Sequence, residues 1–435
     1  MTPQSTFMIV VPLIAERRRS LECLLDSMNS APGQVNPDNP IIPFAQFDQL
    51  HSARLLIIEA LTGDDMASHG IAPYDWPPSL ALLGEIDGCT QDFLAWIAVT
   101  ASEGLRCLFS HCEGFDTHDG TLLDFLRQHE TQPAASYVNW RGRTVTQVRE
   151  EAHLQQAMAD RLSWILEQTN DHCDVRSIRQ QLLTFVQMEQ YEGRLPLSDD
   201  RQSSWLERLH YLFDLLLTPV LLLLLSPLLL LASPFLAWRL RHLEKNDPVI
   251  RIRAQRSHIE SLSRIEDIGV NNQFNVLGDV KPGWFRYWLL RAVMHLVDYA
   301  SRHIYTRGYL GRVRSIHFAR WVFLNKGRSV YFASLYDGSL ESYMDDFINK
   351  VAFGLNLTFS HGVGYPRTRW MIKGGAEIEQ EFKDTLRRHQ LPSAVWYHAY
   401  PGLTALDMAR NARIRQGLRI WPRRNADIRQ WLSEI

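Results

Sequence analysis

Four chemistry-bearing residues in the first half of this chain, His51, Arg54, Asp87 and His111, have counterparts in the second half: His317, Arg320, Asp337 and His361. Leu50-His51-Ser52-Ala53-Arg54 is matched by Ile316-His317-Phe318-Ala319-Arg320, and Asp87-Gly88 and Ser110-His111 by Asp337-Gly338 and Ser360-His361. The separation between the Asp and the second His is the same in both copies. A carboxylate can carry a proton, and a neutral imidazole can ligate a metal such as iron. These residue types also do ordinary structural work. Asp-Gly followed by Thr90 or Ser339 makes a turn and a helix cap, and Ser-His before a glycine is common turn chemistry. Because both copies keep the set, folding of a repeated unit explains it more simply than catalysis does.

The elements that must position these residues are also duplicated, and an internal repeat fixes architecture before anything else. Each copy opens on a strand-like run, Phe7 to Val11 or Phe274 to Leu277, turns at Pro12 or Pro282, and enters a helical stretch, Ser20 to Met28 or Trp284 to Tyr299. Strands are expected at Arg54 to Glu59 and Leu80 to Ile86, and at Arg320 to Leu324 and Ser329 to Tyr336. Helices follow at Thr90 to Ala101 and Leu340 to Val351, then final strands at Leu105 to Ser110 and Leu355 to Ser360. The order β-α-β-β-α-β is that of a ferredoxin-like unit. Copy one carries a Pro/Gly/Asp-rich insertion, Thr62 to Pro78, where copy two has only the turn Asn325-Lys326-Gly327.

Two such units in one chain resemble the dimeric α/β-barrel superfamily in duplicated, single-chain form. The implied fold is α+β: two ferredoxin-like repeats forming an intrachain barrel, with a helical linker and a membrane-inserted segment between them. The expected divisions are repeat one at 1–130, the linker at 131–204, the apolar segment at 205–245, repeat two at 270–392 and a basic amphipathic tail at 393–435. Gly84-Glu85-Ile86-Asp87-Gly88 also resembles the GxxDG pattern of dye-decolourising peroxidases. That resemblance implies haem as cofactor, Asp87 as distal acid with Asp337 its counterpart, Arg54 or Arg320 assisting, and His317 or His361 as iron ligand, His317 first. Copy two departs from the pattern, having Ser334 at the glycine position.

Leu215 to Trp238 carries no charge and is long enough to cross a bilayer core, which takes about 20 residues. Pro219, Pro227 and Pro234 interrupt it, and each removes a backbone donor. If the two copies pair within the chain, they must lie on one side of the membrane, so the segment is expected to dip in and bend back at a proline. Arg208 precedes it, and Arg239, Arg241 and Lys245 follow, a basic pattern that suits a cytoplasmic face. Trp284 and Trp288 then open an aromatic, arginine-bearing helix of the kind found at lipid interfaces.

Bulk composition limits the rest. A chain of 435 residues with 46% apolar and 22% charged residues folds into two or three domains. The net charge of −2 gives no reason to expect nucleic acid. Cys23, Cys89, Cys107, Cys112 and Cys173 show no metal or disulfide spacing and read as reduced thiols. The first residues place their apolar run before their arginines, the reverse of an export signal. No GxSxG, HExxH, P-loop or Rossmann glycine pattern occurs. The expected protein is membrane-associated, faces the cytoplasm and acts on an apolar or lipid-derived substrate, with haem-dependent oxidation as the leading chemistry. A non-catalytic binding or scaffold protein and a cofactor-free oxygenase or isomerase are the alternatives. The membrane and an apolar small molecule are the expected partners, with homo-oligomer formation left open.

Overall fold

The long strands are apolar on both faces because both are covered. Phe7, Ile9 and Val11 meet helices on one side, while Met8, Leu56, Ile58, Leu83, Val322, Leu324 and Tyr331 fill a layer between two sheets. A short continuous apolar run of this kind is the signature of a fully buried strand. The computed structural model describes residues 4–60, 63–72, 76–168, 174–199, 204–306, 308–420 and 424–435, so Thr62 and Cys173 lie outside the described residues.

The first unit runs β1 (Gln4–Pro12), α1 (Arg18–Ser27), β2 (Leu50–Ile58), β3 (Ser79–Asp87), α2 (Thr90–Thr100), α3 (Ser102–Phe109), α4 (Leu122–Gln128), β4 (Ala135–Val138) and α5 (Val145–Gln168). After α6 (Val175–Tyr191) and the long α7 (Trp205–Asn246), the second unit repeats the order. It comprises β5 (Asn271–Asp279), α8 (Trp284–His303), β6 (Ile316–Leu324), β7 (Ser329–Asp337), α9 (Leu340–Phe359), α10 (Glu379–His389), β8 (Val395–His398) and α11 (Ala405–Arg419).

The expected final strands at Leu105 to Ser110 and Leu355 to Ser360 are helical instead: α3 in one unit and the end of α9 in the other. Leu105, Leu108 and Phe109 are all buried, and that i, i+3, i+4 spacing serves one helix face. The strand that completes each unit comes later and crosses over. Sheet one has the order β1-β3-β2-β8 and sheet two the order β4-β6-β7-β5, so each unit lends its last strand to the other. The crossings are equivalent, with Tyr397 opposite Ala53 and Tyr137 opposite Ala319. The fold is therefore mixed α+β, and among the described residues the long strands form two four-stranded antiparallel sheets rather than the closed barrel expected. Four residues each, β4 and β8 are too short to complete two ladders; isolated bridges at Ile9–Glu130 and Val276–Gln390 touch the opposite edges. The stretch read as a linker thus begins with β4, and the one read as a tail begins with β8.

The apolar segment does not bend back. It lies within α7, a single helix of 42 residues with all three prolines inside, about 63 Å long at 1.5 Å per residue. Each proline orphans the carbonyl four residues earlier, and each orphan is answered. Tyr299 Oη donates to Leu215 O at 2.9 Å, Ser226 Oγ to Leu223 O at 2.7 Å and Ser233 Oγ to Leu230 O at 2.8 Å. Hydroxyls of this kind are how proline is tolerated in lipid-exposed helices. Replacing Ser226 and Ser233 by alanine is expected to shorten and broaden the distance between spin labels at Glu207 and Lys245 in a cysteine-free background. An unchanged distribution would mean that the hydroxyls do not hold the helix straight.

α7 rests on the second unit at two places. Thr218 Oγ1 is hydrogen-bonded to His295 Nε2 at 3.2 Å, and Leu240 packs with Phe285 and Met371. Between those contacts most of the leucines are exposed, up to 81% at Leu231. A helix this long, apolar and exposed points to membrane association. Trp238, Trp284 and Trp288 are exposed near its C-terminal half.

Candidate functional site

The two repeated arginines lie in the layer between the sheets, each 1% exposed, and each reaches into the other unit. Arg54, on the β2 face shared with Leu56 and Ile58, donates to Phe274 O at 3.2 Å, Ser334 O at 2.8 Å and Asn275 Oδ1 at 2.8 Å. Arg320 does the reciprocal thing on β6, donating to Phe7 O and Gly84 O at 2.7 Å each and forming an ion pair with Glu85. Ser52 Oγ also donates to Glu85. Burial alone would raise the Glu85 carboxyl, but Arg320 and Arg54 outweigh it and hold the group below the usual carboxylate range. Gly84 is required by closeness: a Cβ there would sit 2.6 Å from Ser52 O and 2.7 Å from the Phe7 ring. The glycine and glutamate of Gly84-Glu85-Ile86-Asp87-Gly88 thus serve the arginine crossing.

The histidines occupy matching bulges. Strand register shifts between Leu50 and Ser52, and again between Ile316 and Phe318, leaving His51 and His317 as the extra residues. His51 Nε2 donates to Asp87 Oδ1 at 3.0 Å, and His317 Nε2 to Asp337 Oδ1 at 2.6 Å. The second oxygen of each aspartate takes the first N–H of a following helix: Val145 N of α5 at 2.8 Å and Ala405 N of α11 at 2.7 Å. Negative charge at a helix start satisfies an otherwise unpaired donor. Each aspartate therefore ties a strand bulge to the helix that follows the exchanged strand.

The same neighbourhood holds two residues outside the repeated set. Tyr400 Oη is hydrogen-bonded to His51 Nδ1 at 3.0 Å, and its ring lies 4.4 Å from that of His398 and 6.3 Å from that of His317. Neither nitrogen of His398 has a partner. Burial, with His317 and His51 nearby, pushes its imidazole well below its ordinary value, and burial pushes the Tyr400 phenol well above its own. Both are therefore uncharged at neutral pH. The sequence does hold a signal for this region: His129, Ala134, Tyr137, Gly142 and Thr144 recur at one constant offset as His389, Ala394, Tyr397, Gly402 and Thr404. The counterparts of His398 and Tyr400 are Val138 and Trp140, so the pair is particular to the second unit.

The second histidine of the repeated set diverges. His111 is partly exposed at the end of α3, with Nδ1 donating to Cys107 O at 2.9 Å. His361 is 1% exposed and neither ring nitrogen has a partner. Burial, with Arg286 and Lys281 nearby, pushes it down to about 3.

These residues do not fit a haem. His317 is 1% exposed, has given Nε2 to Asp337 and is packed against His398 and Tyr400. His361 borders a cavity of only about 50 Å³, whereas cofactor sites occupy about 300–1,000 Å³. Asp87 is committed to His51 and Val145, and both arginines are consumed in crossing the sheets.

Space exists elsewhere. A cavity of about 230 Å³ lies in the second unit between α8, α9 and sheet two, lined by Leu296, Ala300, Trp321, Phe347, Gly354 and Phe359, among others. Its walls are mostly apolar; Ser301, Tyr305 and Thr358 also line it, and Ser301 Oγ and Trp321 Nε1 are buried without partners. Leu357 lines it and also packs in the cluster formed by Leu236 and Leu240 of α7, which places the cavity beside the apolar helix. Phe353 and Leu296 at its wall are exposed. No known protein family, curated protein or solved structure matches this chain.

Proposed function

We propose that this is a membrane-associated binding protein whose second unit takes up an apolar, lipid-derived molecule in the cavity between α8 and α9. The observation that carries the reading is the cavity's position: about 230 Å³ of apolar space beside an exposed helix that suits a bilayer. A lipid-soluble molecule would enter laterally, past α7, without crossing water. Binding rather than turnover is favoured because Arg54 and Arg320 are spent on tying the two units together, and His51, His317, Asp87 and Asp337 on fastening strand bulges to the helices that follow the exchanged strands; haem oxidation falls away with them.

The body lies on the cytoplasmic side in this proposal, since Arg208 precedes the apolar stretch and Arg239, Arg241 and Lys245 follow it. Descent from a duplicated ferredoxin-like unit is part of the same reading, supported by the reciprocal exchange of β4 and β8 and the paired arginine crossings.

Gly354 gives the test. Gly354 lines the cavity and a Cβ built there meets nothing within 4 Å, so Gly354→Phe adds bulk at the cavity wall with no clash at its point of attachment. Purified protein should carry an apolar molecule at near one-to-one ratio by mass spectrometry of its extract. The variant should lose it and bind a fluorescent fatty-acid probe on the order of tenfold more weakly or worse, a loss of at least 1.4 kcal/mol. Undiminished probe binding by a well-folded Gly354→Phe protein would sink the proposal.

A further inference from the structure

Where α7 ends, two buried cations share one carboxylate oxygen. Lys281 Nζ and Arg286 Nη2 donate to Asp247 Oδ2 at 2.8 and 2.7 Å, and Lys281 Nζ also donates to Ser360 O at 2.9 Å. Lys281 is 4% exposed and Arg286 1%. The other carboxylate acting on Lys281, Glu244, is taken up by Arg241, Thr368 Oγ1 and the backbone N–H groups of Trp370 and Met371. Positive charge is therefore in excess at this point, and buried charge without a partner is strongly unfavourable.

Four polar atoms of three neighbouring side chains are unspent. Arg286 Nη1, Ser360 Oγ and both ring nitrogens of His361 are buried without partners. Buried polar atoms are ordinarily satisfied, and a local concentration of exceptions asks for an explanation. His361 connects the cluster to the apolar space. Its carbonyl accepts from Lys281 N at 2.8 Å, while its ring lines the cavity of about 50 Å³. That cavity shares Phe332, Thr358 and Phe359 with the larger one.

We infer that Lys281, Arg286, Ser360 and His361 form an oxyanion-binding site for the carboxylate or phosphate head of an amphiphile whose tail lies in the larger cavity. The inference rests on the binding function proposed above and deepens it by naming the ligand class. Arg286 supplies a free N–H and a full charge, Ser360 and neutral His361 supply further donors, and Asp247 holds the two cations in place. Charge-assisted hydrogen bonds to an oxyanion are shorter and stronger than neutral ones. Burial pushes the Lys281 amine down to about 8, against the pull of Asp247, and a bound anion would favour its charged form. The first unit lacks the lysine: Ile14, whose N–H donates to His111 O as Lys281 N–H does to His361 O, stands in its place.

The test follows the thermal midpoint of the full chain in neutral detergent with decanoate, decanol or inorganic phosphate at matched concentration. A ligand that prefers the folded state raises the midpoint. Decanoate is expected to bind on the order of tenfold tighter than decanol, as one net charged hydrogen bond would give. Ser360→Ala and Arg286→Lys should bring decanoate down to the decanol level and leave decanol unaffected. Ser360→Ala removes an unpartnered hydroxyl and is the variant that keeps the fold. A rise with phosphate alone, abolished by Ser360→Ala, would also support the oxyanion site and assign it to a free anion. Equal responses to decanoate and decanol with none to phosphate would overturn the site and leave the cavity reading standing. No response to decanol would instead count against the cavity.

Discussion

Arg320→Ala is expected to destabilise the protein by about 3–5 kcal/mol, the usual cost of removing one partner of a buried ion pair. The change would strand Glu85, 4% exposed, with Ser52 as its remaining side-chain donor, and would uncover the carbonyls of Phe7 and Gly84. Arg54→Ala should cost less, because its acceptors are neutral: Phe274 O, Ser334 O and Asn275 Oδ1. Glu85→Gln in the Arg320→Ala background should recover part of the loss, since the stranded charge is then gone. Urea unfolding followed by tryptophan fluorescence measures the wild type and these three variants, and Glu85→Gln alone completes the cycle for the ion pair. If Arg54→Ala proved as costly as Arg320→Ala, or if Glu85→Gln gave no recovery, the ion pair would not be what makes the second crossing the stronger one. If neither arginine mattered for stability, their repetition would have to be explained by function after all.

Leu224→Arg with Leu231→Arg should move the protein out of the membrane fraction. These side chains are 72% and 81% exposed on α7, in the stretch between its two resting points on the body. Each arginine near the centre of an apolar helix costs about 2.5–3.5 kcal/mol on an insertion scale. Two together outweigh most of what the helix gains from lipid, and the body's fold should be unaffected because its cores do not include either residue. Vesicle flotation provides the readout. Continued flotation of a folded double variant would mean that something other than α7 holds the protein at the bilayer.

The sequence by itself determined what is written in local periodicity. The repeat, the six long strands, α1, α2, α8 and the first part of α9, and the uninterrupted apolar length of α7 are all there to be read. It misread Leu105 to Ser110 and Leu355 to Ser360, because a short apolar run satisfies strand and helix spacing alike. The tertiary structure alone decided what the chemistry-bearing residues meet. Arg54 and Arg320 find acceptors in the other half of the chain, and Tyr400 reaches His51 through the exchanged strand. The continuity of α7 depends partly on a hydroxyl from Tyr299, a residue far along the chain. His111 and His361 are the same residue in the same motif, yet one is partly exposed and the other is sealed beside two cations. Spacing along a chain fixes which residues share a face; it says nothing about which face of a distant element will cover them, and that covering decides whether a polar side chain is a staple, a free surface group or a binding site.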